Sequence, residues 1–119
     1  MVAVSAEEAA TSWTCARCGV TASWMPGSGS GRPADWVDVG GGLHCLVCRR
    51  AEAGDEGVAA SPDEANAASR ARIRTAAVVE FEIRRDPGRT NGAIARACRT
   101  SVPAVVKARA RIGLPPPKY

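Results

Sequence analysis

The sequence predicts a small α+β protein of two modules: short β hairpins in the first half and three helices in the second. Three observations carry this. Two Cys-x-x-C pairs, Cys15/Cys18 and Cys45/Cys48, lie 26 residues apart in the first half. Helix-start signals at Ser61, Thr90 and Ser101 punctuate the second half. Charge divides along the same line. Residues 1–69 carry four Arg and nine acidic residues, a net of −5. Residues 70–119 carry twelve basic and three acidic residues, a net of +9.

At 119 residues the chain suits one ordinary domain or two very small ones. Aromatic residues are 4% of it, so a core of Ala, Val and Ile calls for a further constraint. No basic segment followed by an apolar run opens the chain, and no window approaches a membrane span. A cytoplasmic setting is therefore expected, where paired cysteines indicate metal before disulfide. The expected division is a tail (1–12), a cysteine module (13–50), a linker (51–60), a helical module (61–113) and a second tail (114–119).

Two residues between cysteines let both sulfurs of a tight turn reach one ion. Two such turns, Cys15/Cys18 and Cys45/Cys48, complete a four-thiolate site. Zinc, one structural ion per chain, is the expected occupant; an iron–sulfur cluster would use the same thiolates. A redox pair would need one Cys-x-x-C at a helix start, not two. Four thiolates leave no open position for catalytic water. His44, the only histidine, reads as a bystander, and Trp13, Trp24 and Trp36 as packing around the metal. Strands are expected at 20–24 and 36–39, with a loop between them and a Gly40–Gly42 turn before the second pair. This order resembles a zinc ribbon over residues 13 to about 50. The acidic surroundings suit a structural or protein-contact role better than phosphate binding.

Residues 49–60, with Gly, acids and small side chains, read as a flexible joint. Ser61, Pro62 and Glu64 form a capping-box signal, so a helix is expected over about 62–85, with Ile73, Ala76, Val79 and Ile83 on one face. Asp86-Pro87-Gly88 ends it. Thr90 or Asn91 caps a short helix over 91–98. Ser101 caps another over 102–112, with Pro103 in its first turn.

The segment from Asp86 to Pro115, with Asp86-Pro87, Ile94-Ala95, Ser101, a Val-containing helix and Gly113-Leu114, resembles the helix-turn-helix of bacterial and phage regulators, including resolvase-type and actinobacterial domains. The family's turn has Gly then Val. Here Arg99 and Thr100 stand instead, so a non-glycine residue must supply the turn geometry. Small Ala95 permits close helix crossing, and Cys98, Val105, Ala108 and Ile112 fall on the buried side. The resemblance implies double-stranded DNA as partner. Val102, Pro103, Val106, Lys107 and Ala110 would face outward toward the major groove, with Lys107 the best candidate for a base-edge or central phosphate contact and the cap Ser101 also in the DNA-binding set. Arg89, Arg96, Arg99, Arg109 and Arg111 would hold phosphates. A transcriptional regulator is the expected function, binding as a possible homodimer. The alternatives are an accessory factor of recombination or transposition, and an adaptor whose ribbon contacts RNA polymerase or another protein. No histidine–carboxylate pairing or phosphate-binding glycine loop points to an enzyme.

Overall fold

A computed structural model describes residues 12–25, 31–62 and 65–116. It is α+β, with two short antiparallel hairpins and four helices among the described residues. The chain divides into two compact units, Met1–Arg49 and Arg50–Tyr119. The expectations for residues 1–11, for the loop at 26–30, for Glu64 of the capping box and for residues 117–119 of the second tail lie outside the described residues.

In the first unit, β1 (Ser12–Thr14) pairs with β2 (Thr21–Ser23), Trp13 facing Ala22. The first cysteine pair lies in the connection. Cys15 N–H donates to Val20 O at 2.9 Å, and Gly19, at φ 80°, donates to Cys15 O at 2.9 Å. β3 (Val37–Val39) pairs with β4 (Gly42–His44) across a turn in which Gly40 and Gly41 both take positive φ, 59° and 92°. That is the requirement of the tightest hairpin turn. The strands expected at 20–24 and 36–39 exist in shortened form, but each closes its own hairpin with a near neighbour. Short connections cost less closure entropy than a pairing across the long loop.

The stretch expected to be a flexible joint is helical: α1 runs Leu46–Ala59. Its glycines were the misleading signal. A Cβ on Gly57 would stand 2.5 Å from the Ala77 Cβ, and one on Gly54 would stand 2.8 Å from the Arg74 Cγ. Both mark close approach between helices, and tertiary packing outweighs a propensity penalty of about 1 kcal/mol per glycine. An Arg74–Asp55 ion pair at 2.6 Å joins the same two helices. With residues 50–59 of α1 in the second unit, the charge division softens. Residues 1–49 carry three Arg and four acidic residues, a net of −1; residues 50–119 carry thirteen basic and eight acidic, a net of +5. The basic half keeps its sign, while the strongly acidic head does not survive.

α2 spans Ala67–Arg85. It begins later than expected because Asn66 caps it, accepting from Ser69 N–H at 2.8 Å. Ser61 instead donates to Val58 O at the end of α1. α3 (Asn91–Cys98) and α4 (Val102–Ile112) match their expected bounds. Thr90 caps the first, accepting from Ala93 N–H at 3.1 Å; Ser101 caps the second, accepting from Ala104 N–H at 3.2 Å. Arg99 joins them in the left-handed conformation, φ 54° and ψ 48°, and Thr100 N–H closes the helix end on Ala95 O at 2.9 Å. Val79, Ile83, Ile94, Ala95, Val105 and Ala108 form the buried core, with Cys98, Ile112 and Leu114 packed against it. Ala95 is 4% exposed, the small residue that close helix crossing needs. No described helix is long and apolar enough to cross a membrane.

Candidate functional site

The four cysteines of the first unit converge. All four Sγ atoms lie within 4.8 Å of one another. Cys15 and Cys48 sulfurs are 3.7 Å apart, as are those of Cys18 and Cys45. A disulfide would bring two sulfurs to about 2.05 Å. Thiolates at about 2.3 Å around one ion form a tetrahedron with edges of about 3.8 Å. The cluster has the spacing of that tetrahedron, so Cys15, Cys18, Cys45 and Cys48 fit a single metal ion. Cys15, Cys45 and Cys48 are buried, with Trp36 packed against them, while Cys18 is exposed. Cys48 sits in the first turn of α1.

The local fields differ around the ring. Burial opposes charge on Cys15, yet the backbone N–H groups of Cys18, Cys45 and Arg17 outweigh it and draw the thiol down to about 5. Cys45 N–H lies 3.4 Å from the Cys15 sulfur. Burial, reinforced by the neighbouring thiols of Cys18, Cys15 and Cys45, pushes Cys48 up to about 12. Crowded thiols resist losing their protons together unless a cation joins them. Arg17 braces the second pair by donating to Cys48 O at 2.9 Å. Of the three tryptophans expected around the site, Trp13 and Trp36 turn inward; Trp24 is exposed, its indole donating to Gly31 O at 2.7 Å.

In the second unit the predicted cationic residues separate into two groups. Arg109, expected to hold phosphate, is 3% exposed. Its Nε donates to Asn91 Oδ1 at 2.6 Å and its Nη2 to Arg89 O at 2.7 Å. Its Nη1 donates to the carbonyls of Pro87, Leu114 and Pro115 at 3.3, 3.2 and 3.1 Å. It is a structural clamp that ties α4 to the chain before α3 and after α4. The guanidinium is suited to this because its donors are many and fixed in a plane. Position 109 shares a helical face with Val105, Ala108 and Ile112, but its charged residue type masks that in the sequence. Arg89 is likewise engaged inward, donating to Glu82 Oε2 at 3.0 Å.

That glutamate was missed by sequence reading. Fully buried, it receives Arg50, Arg85 at 2.7 Å and Arg89 at 3.0 Å. Burial opposes its charge, but the hydrogen bonds of Arg50 and Arg85 prevail and hold its carboxyl below the usual carboxylate value.

The remaining residues face solvent. Val102, Pro103, Val106, Lys107 and Ala110 are exposed along α4, as expected, and Arg96 and Arg99 are exposed on α3 and its turn. Ser101 is engaged as a cap. Arg111 is half exposed and lies 3.6 Å from Glu80. A groove of about 490 Å³ runs between α2 and α4. Arg72, Arg99, Lys107 and Arg111 line it, over a floor that includes Ala76, Val79 and Ala104. Arg72 was not among the sequence candidates, since only the packing of α2 against α4 brings it to α4's side.

No family model, curated protein or solved structure matches the chain.

Proposed function

We propose that the chain is a double-stranded DNA-binding protein. Its helical unit docks α4 into the major groove, and its cysteine unit is held by one structural zinc ion. A transcriptional regulator is the reading we favour. One observation carries it. α3 and α4 share one buried core through Ile94, Ala95, Val105 and Ala108 across the left-handed Arg99 turn, leaving an α4 surface of Val102, Pro103, Val106, Lys107 and Ala110 exposed. A short capped helix with a slender exposed face and cations at its flank suits a groove about 12 Å wide. The net charge of +5 over residues 50–119 supports attraction to a polyanion. Lys107 and Arg111, with Arg96 and Arg99, would hold phosphates. Arg109 would act one step back, fixing the pose of α4.

For the metal, tight sulfur spacing supports one ion over a multi-iron cluster, whose sulfides and irons would spread the thiolates apart. A full shell of four thiolates supports a structural role. Exposed Val20, Trp24, Met25, Val37 and Val39 on the hairpins favour a second reading, in which this unit also contacts another protein.

Titration of duplex DNA with the full chain, followed by fluorescence anisotropy across a salt series, tests the reading. Binding is expected to weaken steeply with salt. Lys107→Ala with Arg111→Ala should flatten the log–log slope by about 0.9 per lost phosphate contact. A slope unchanged in that double variant would reject groove docking by α4.

A further inference from the structure

We infer that α2 belongs to the nucleic-acid contact as well: the groove between α2 and α4 seats one backbone phosphate of the duplex, anchored by Arg72. This rests on the DNA-binding reading and extends it to a helix outside the α3–α4 pair. The lining brings together four cations from three elements: Arg72 from α2, Arg99 from the turn, and Lys107 and Arg111 from α4. Among the described residues, no acidic side chain lines it. Like charges gathered around one concavity repel each other and concentrate a counter-anion there. The floor residues Ala76, Val79 and Ala104 are short, so a sugar–phosphate strand can approach the helix backbones closely, with the sugar over apolar side chains.

The nearby carboxylate sharpens the assignment. Glu80, on α2 outside the lining, lies 3.6 Å from Arg111 and 3.9 Å from Arg84. Arg72 donates to the Ser69 hydroxyl at 3.2 Å, a neutral partner on an exposed helix face. A docked phosphate therefore takes Arg111 from Glu80 and gains Arg72 without displacing an anion from it. Glu80 acts as a built-in competitor that weakens duplex binding.

The experiment uses the full chain, a fixed DNA duplex and anisotropy titrations at several KCl concentrations. Arg72→Ala is expected to lower the slope of log K against log[salt] by about 0.9 while leaving the helical circular dichroism unchanged. Arg72→Lys, which keeps the charge, should restore the slope. Glu80→Gln should tighten binding several-fold at low salt, because Arg111 is released. An unchanged slope in Arg72→Ala, alongside a flattened one in Lys107→Ala, would overturn the α2 contact and leave the α4 reading standing. Weaker binding by Glu80→Gln would equally overturn the exchange. Absence of any duplex binding by the unaltered chain would remove the DNA-binding reading and this inference together.

Discussion

Glu82→Ala is expected to lower the stability of the helical unit by about 3 kcal/mol, the lower end of the loss expected when one member of a buried ion cluster is removed. The lower end applies because Arg50, Arg85 and Arg89 keep 32%, 16% and 25% of their side-chain surface exposed, so stranded charges can partly rehydrate. A unit of this length has roughly 4–10 kcal/mol to lose, and Tm should fall by about 12 °C or more. The same carboxylate gives the unit an acid limit. Its folded pKa lies below its unfolded one, so its contribution is complete above the unfolded value and disappears as pH falls through the folded value. Thermal melts between pH 6 and pH 2 check this: the native protein should lose stability toward acid, and Glu82→Gln should lose less over the same range. A Glu82→Ala melt unchanged at neutral pH would mean that the three arginines do not depend on this partner.

Removal of the metal is expected to unfold the cysteine unit outright. Its buried cluster consists of Cys15, Cys45 and Cys48 with Trp36 against them, and its strands are three residues each. Hairpins of that size do not persist alone, whereas a structural zinc site contributes about 10–16 kcal/mol of apparent binding free energy at neutral pH. Metal analysis of the purified chain should find about one zinc per molecule. A strong chelator should abolish the near-ultraviolet tryptophan signal of Trp13, Trp24 and Trp36. Far-ultraviolet helicity from α2, α3 and α4, none of which supplies a ligand, should largely remain. Cys45→Ser should reproduce the chelated state. Retention of the tryptophan signal after complete metal loss would show that the unit folds without an ion.

Legibility in the sequence depended on how local each signal was. α3 and α4 were readable to the residue because Thr90, Ser101, Pro103 and Gly113 act within one turn of themselves. The four-cysteine cluster was readable because Cys-x-x-C spacing encodes a turn that aims two sulfurs together. Gly54 and Gly57 misled because glycine permits both flexibility and close approach, and only Ala77 and Arg74 opposite them decide between the two. Ser61 and Asn66 are both good caps; the choice fell to the one not already bonded to the end of α1. Arg109 and Glu82 were hidden for a common reason. Their residue type favours the surface, and their burial depends on partners up to 32 residues away in the chain.

The turn between α3 and α4 holds an arginine where glycine would rest more easily, at a conformational cost of about 1 kcal/mol. Any lineage that exchanged Arg99 for glycine would acquire a hardier scaffold and give up a cation at the groove mouth. Under the proposed DNA-binding reading, stability gained at that one turn is duplex affinity lost.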